Sequence, residues 1–245
     1  MFIPPAYLVS SAYVLTVKTV SKSDQLMLKH LSDAISKLGQ GVKDGGISNK
    51  KFARLYPVGD VPKWQALRSK VASSSEAYTN LTLLLCFHHV DYAKNIHNLL
   101  GRYRAWHRSG EMLNNNLKLT KQELADAGST VNVEEISAYL EILYRKHHDS
   151  LSLDSMLSLR LDGAGAEEQS AAIVELWGDN PLPLLISAYQ SAVRTRNIVD
   201  ALDTEGKEAR PKFYRELKRL AHNPDPRVAA TAKKVDHDLR KSQPD

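Results

Sequence analysis

Residues 150–165 read SLSLDSMLSLRLDGAG, and the periodicity of this stretch decides which kind of fold the chain has. Leu151 and Leu153 alternate with Ser150 and Ser152, and Leu157, Leu159 and Leu161 alternate with Ser158 and Arg160. A strand turns successive side chains to opposite faces, so apolar residues at every second position suit a half-buried strand, whereas a helix repeats every three to four. With Asp154-Ser155 as a turn and Asp162-Gly163-Ala164-Gly165 as a close, the alternation predicts a short β-hairpin. The rest of the chain reads as helix and loop. The expected fold class is therefore mainly α, with helical bundle regions flanking a central unit that ends in the hairpin.

Directly upstream lies LTKQELADAGSTVNVEEISAYLEIL, residues 119–143. A short helix is expected over 120–127, a turn over 128–132, and a second helix from 133 to about 148, buried through Ile136, Tyr139, Leu140 and Leu143. Ala125 is the small residue where two helices would cross, and Gly128 opens the turn. Together with the hairpin this segment resembles the helix-turn-helix of the winged-helix superfamily, with one extra residue in the turn. The resemblance covers about a fifth of the chain and implies contact with DNA or with a protein. A helix that reads DNA presents Arg, Lys, Asn or Gln to base edges and phosphates. This one opens with Glu134 and Glu135, which favours a protein partner.

On the N-terminal side, Ser23 and Asp24 cap a helix through Met27, Leu31, Ile35 and Leu38, stopped at Gly39. Ser73 and Glu76 have capping-box spacing. From there Leu81, Leu85, His88, Tyr92, Ile96, Leu99, Tyr103 and Trp106 step by three or four residues, which predicts one long helix. On the C-terminal side, helices are expected over 166–177, from Pro183 to about Leu202, and over 208–221. The sequence NPDPRVAATAKKV, residues 223–235, then resembles one helix of a HEAT repeat, but no period of 20 to 50 residues supports a solenoid. The expected organisation is a basic N-terminal helical region (1–115), a winged-helix-like unit (116–165) and a C-terminal helical region (166–245).

Composition bounds the function. Hydrophobic residues at 42% and charged residues at 25% match a folded chain. One cysteine, Cys86, forms no internal disulfide and supplies no multi-cysteine zinc site, so a cytoplasmic setting is expected. Residues 1–20 lack a charged leader and contain Pro4, Pro5 and Lys18, so neither a signal nor a membrane span is expected. The net charge of +5 is segregated: residues 1–115 carry fifteen Lys and Arg against seven Asp and Glu, while residues 116–193 carry five against twelve.

The basic region has two dense runs. In NKKFARLYPVGDVPKWQALRSK, residues 49–70, Lys50, Lys51, Arg54, Lys63, Arg68 and Lys70 interleave with Phe52, Tyr56 and Trp64; in RYRAWHR, residues 102–108, Arg102, Arg104 and Arg108 flank Tyr103 and Trp106. Cations neutralise phosphates and aromatic faces stack on bases, so the combination suits single-stranded nucleic acid or RNA. The candidate contacts are Lys50, Lys51, Arg54, Lys63, Trp64, Arg68, Lys70, Arg102, Arg104 and Arg108. The alternative is a solvated basic surface whose aromatics anchor the core.

Arg102 and His107 also have the R-x4-H spacing of HEPN ribonucleases, in which His acts as acid or base and Arg stabilises phosphate charge. With four to six intervening residues allowed, composition alone supplies about 1.5 matches, and two occur, the other being Arg215 to His222 with six between them. The pairs His88-His89 and His147-His148 are adjacent on helices and point about 100° apart, so neither pair faces one metal ion. No phosphate loop, nucleophile elbow or H-E-x-x-H is present. The expectation is a non-enzymatic nucleic-acid-associated or assembly protein with a protein partner, no cofactor and no membrane span. The alternatives are a HEPN-type helical ribonuclease and a pure protein-interaction adaptor.

Overall fold

The computed structural model describes residues 20–40, 42, 44–73, 75–115, 118–121, 136–161 and 163–242. Among them all regular structure is helical, and the chain divides into two compact units, Met1–Ile136 and Ser137–Asp245. Of the expected first helix of the helix-turn-helix, residues 122–127 lie outside the described residues, as does its turn.

The first unit holds α1 (Lys22–Gly39), α2 (Asn49–Leu55), a 3-10 turn (Val58–Asp60), α3 (Val61–Arg68), α4 (Glu76–Phe87) and α5 (Tyr92–Asn114). Helix α4 is the centre, with α1, α3 and α5 all packed on it. Every residue of α4 from Thr79 to Phe87 is buried. Leu31 and Ile35 of α1, Phe52 of α2, Trp64 and Leu67 of α3, and Ile96 and Leu99 of α5 complete the core.

The expected single helix through residues 73–106 is two helices. Ser75, not Ser73, caps α4, its Oγ accepting from the Tyr78 N–H. At the other end the His89 N–H donates to the Cys86 carbonyl at 2.8 Å and the Val90 N–H to the Leu85 carbonyl at 2.9 Å. This paired closure terminates a helix by placing one residue in the left-handed region. That residue is His89, φ 60°, where glycine is usual.

The second unit holds α6 (Ile136–His147), α7 (Ser150–Leu157), α8 (Gly163–Asp179), α9 (Pro181–Ala188), α10 (Ala192–Thr204), α11 (Gly206–Leu220) and α12 (Pro226–Lys241). Helix α10 packs against α7, α8, α9, α11 and α12, and buries Ile198, Val199, Ala201 and Leu202 among them. Trp177 of α8 is buried beside Phe213 of α11, and its Nε1 donates to the Glu216 carboxylate at 2.8 Å.

The predicted hairpin is absent, because residues 150–157 are helix α7 and 158–161 form no sheet. The Asp149 carboxylate caps α7, taking the Ser152 N–H at 2.9 Å and the Ser152 hydroxyl at 2.7 Å. Leu153, Met156 and Leu157 are buried at helical spacing, with Ser152 and Ser155 as small residues at the packed face, whereas Leu151 is exposed. The segment that follows is held without a strand partner. Asn197 Nδ2 donates to the Leu157 and Leu159 carbonyls, and Gln169 Nε2 to those of Met156 and Leu159. With no hairpin there is no wing, so the winged-helix-like architecture is set aside while the mainly α class stands. The expected helix from Pro183 to Leu202 is likewise two, α9 and α10, broken at Gln190 with φ 59°.

Candidate nucleic-acid interface

Ser48 caps α2 by accepting the Lys51 N–H at 3.2 Å. Phe52 is the single buried residue of α2, its ring against Phe87 at 4.8 Å and Tyr56 at 5.1 Å. Lys50 and Arg54, four residues apart, share the face turned away from Phe52, and both are exposed, as is Lys51. Pro62 sits in the first turn of α3, where its missing N–H costs nothing. Trp64 then points inward, 2% exposed, its ring stacked on His88 at 5.4 Å. Lys63 and Lys70 are exposed.

The aromatics of the run therefore anchor the core. Burial pushes the Tyr56 hydroxyl above its ordinary pKa, with Asp33 adding to the shift. Trp64, expected among the nucleic-acid contacts, has no face open to a base. Two of the expected cations are also structural. Arg68 Nη1 donates to Asn95 Oδ1 at 2.7 Å and Thr82 Oγ1 at 3.3 Å, tying α3 to α4 and α5. Arg102 Nη1 donates to the Ser73 carbonyl at 2.6 Å and the Ser75 carbonyl at 3.2 Å. Both guanidinium groups lie against the ring of Tyr78.

Two sets of cations face solvent. The first comprises Lys50, Lys51, Arg54, Lys63 and Lys70 on α2, α3 and the turn after it. The second runs along α5, where Lys94, His97, Arg104 and Arg108 are all exposed at positions spaced by three, four and seven residues. Lys94 and His97 belong to this set and are not among the expected contacts. Helical spacing counted back from Arg104 reaches both. Lys50, Lys51, Arg54, Lys63, Lys70 and Arg104 make no side-chain hydrogen bond or ion pair with a described residue.

The geometry gives the nuclease alternative little to use. Five residues apart on α5, Arg102 and His107 project about 140° apart. Arg102 is engaged with the loop before α4, and His107 Nδ1 lies 3.4 Å from the Glu111 carboxylate. The adjacent histidines diverge as well, His88 onto Trp64 and His89 onto Tyr92 at 4.6 Å. Among the described residues no three His, Cys, Asp or Glu side chains are placed to hold one metal ion, and no helix is long and apolar enough to cross a membrane.

Fold and surface together define a class: a helical protein of two compact units, the first displaying cations over a sealed aromatic core. No family model, no curated protein and no solved structure matches the chain.

Proposed function

We propose that this protein binds nucleic acid through the phosphate backbone, using the exposed cations of its first unit, and that it does so as a binding or assembly component without a catalytic step. The observation that carries the reading is that Lys50, Lys51, Arg54, Lys63, Lys70 and Arg104 have no acidic partner among the described residues. Lysines and arginines without partners retain their full charge for a polyanion, and each phosphate they neutralise releases a counterion. The burial of Phe52, Tyr56 and Trp64 sharpens the reading. With no aromatic of residues 49–70 open for stacking, the affinity of that run comes from charge and carries no base preference.

The test is fluorescence anisotropy of labelled RNA and DNA oligonucleotides against the full chain over a range of salt. Binding should weaken linearly on a log–log plot, with similar affinities for different base sequences. Lys50→Gln, Lys51→Gln and Arg54→Gln combined should flatten the slope by about 0.7–0.9 for each phosphate no longer neutralised. An absence of binding at low salt ends the proposal. Strong discrimination between base sequences contradicts its charge-only form.

A further inference from the structure

The second unit carries a cationic surface of its own. From residue 206 to 242 the sequence has eleven Lys and Arg against five Asp and Glu. Four of those five acids are already engaged by side chains of the same helical pair or its neighbour: Glu216 by Trp177 and Arg219, Asp225 by Arg227, Asp236 by Arg240 and Asp238 by Lys234. Lys212, Arg215 and Lys218 of α11 and Lys233 and Lys241 of α12 are exposed and make no side-chain hydrogen bond or ion pair with a described residue.

Their placement follows from the helical period. Phe213, Leu217 and Leu220 turn one side of α11 inward, which puts Arg215, Lys218 and His222 on the opposite side. Val228, Ala232, Val235 and Leu239 do the same for α12. Between the two helices runs an open groove of about 380 Å³, walled by Lys218 and His222 on one side and by Lys233, Asp236 and Arg240 on the other. Arg240 is fixed in place, its guanidinium 4.2 Å above the Tyr214 ring and donating twice to Asp236, at 3.0 and 2.9 Å.

We infer that the α11–α12 pair is a second contact for the nucleic-acid backbone. The inference rests on the reading that the first unit binds nucleic acid. Two features favour a strand over an acidic protein segment. The unpartnered cations are spread along both helices, since residues 212 to 218 span about 9 Å of α11 and 233 to 241 about 12 Å of α12. A polymer with one charge per nucleotide meets all of them, whereas a short acidic motif meets only the groove walls. The groove also exposes no large apolar or aromatic side chain. Leu217 at its floor is fully buried and Ala221 is small, whereas protein interfaces draw most of their affinity from buried apolar and aromatic anchors.

The experiment measures binding of a labelled single-stranded oligonucleotide to four forms of the full chain. These are wild type, the first-unit variant (Lys50→Gln, Lys51→Gln, Arg54→Gln), the second-unit variant (Lys212→Gln, Arg215→Gln, Lys218→Gln, Lys233→Gln), and the combination. All the substituted side chains are exposed, and circular dichroism checks that each variant is folded. The second-unit variant should bind at least about tenfold more weakly at low salt, with a salt slope flatter by about 0.7 for each phosphate it no longer neutralises. The combination should lose more than either alone. An unchanged affinity and slope in the second-unit variant overturns the inference and leaves the first-unit reading intact. Loss in the second-unit variant with none in the first-unit variant sinks that reading instead. A peptide of alternating Glu and Asp that binds the wild type and not the second-unit variant, while the oligonucleotide binds both equally, assigns the groove to a protein partner and overturns the inference.

Discussion

At the scale of single residues, the same side-chain type has two different fates. Lys50 and Arg68 belong to one basic run, yet Lys50 ends in solvent while Arg68 ends as the joint between three helices. The difference lies in what each cation meets. The partner of Arg68, Asn95, is fully buried and donates its own Nδ2 to the Val90 carbonyl at 2.8 Å, so its Oδ1 depends on the guanidinium. A buried acceptor stripped of a charged donor costs about 2 kcal/mol. Arg68→Ala is therefore expected to lower stability by about 2 kcal/mol while leaving the salt slope of nucleic-acid binding unchanged. Lys50→Ala should do the reverse, with stability altered by less than about 0.5 kcal/mol and the slope reduced. Urea denaturation and salt titration of the two variants check this, and a reduced slope in Arg68→Ala would return that residue to the interface. None of this is legible in sequence, because cation spacing is the same for a surface strip and for a residue whose acceptor lies 27 positions away.

At the scale of elements, what the sequence shows and what it hides follow one rule. Helices with one wet face are legible: α11 and α12 bury Phe213, Leu217, Leu220, Val228, Val235 and Leu239 at the spacing their apolar residues announce. Helix ends without glycine or proline are not. The breaks after α4 and α9 place His89 and Gln190 at positive φ, and the apolar spacing runs through both undisturbed, whereas α6 ends at His147, where the sequence puts its end. Helix α7 is misread for a related reason, since short helices packed through serines mimic a period of two. Gln190 offers a clean test, because it is exposed and its side chain makes no hydrogen bond with a described residue. Left-handed backbone costs a non-glycine residue roughly 1–2 kcal/mol, and glycine recovers that at some cost in unfolded-state entropy. Gln190→Gly should therefore raise stability by about 0.5–1 kcal/mol. Gln190→Val, β-branched where φ is positive, should lower it. If Val is neutral and Gly destabilising, residues 183–202 form one uninterrupted helix.

At the scale of the whole molecule, two compact units imply two unfolding events, and the units should answer to different conditions. The second unit contains a carboxylate cluster centred on Arg145. Its Nε, Nη1 and Nη2 donate to Glu141, Asp179 and Glu175 at 2.7, 2.7 and 2.8 Å. One guanidinium faces three acids. Burial pushes the Glu141 carboxyl above the ordinary carboxylate range, Glu175 adds to the shift, and the attraction of Arg145 opposes it without cancelling it. The sign follows from linkage. A carboxyl whose folded pKa is raised holds its proton more tightly when folded, so its contribution to stability is full below the unfolded pKa and is lost as pH rises through the folded one. Gln at this position keeps an acceptor for the Arg145 Nε and carries no charge to desolvate. Relative to wild type at the same pH, Glu141→Gln should therefore gain stability as pH rises from the acid side of the carboxylate range towards neutrality. The gain should be confined to the second unit. Segment-resolved hydrogen exchange of both proteins, compared at matched pH, reads the two units separately. Slower exchange in the peptides of α6, α8 and α10 at neutral pH, with those of α4 and α5 unmoved, is the expected result. Faster exchange in α6 and α8 as pH rises would mean that the ion pair with Arg145 outweighs the burial of Glu141. A change in α4 and α5 of equal size would mean that the chain unfolds as one body.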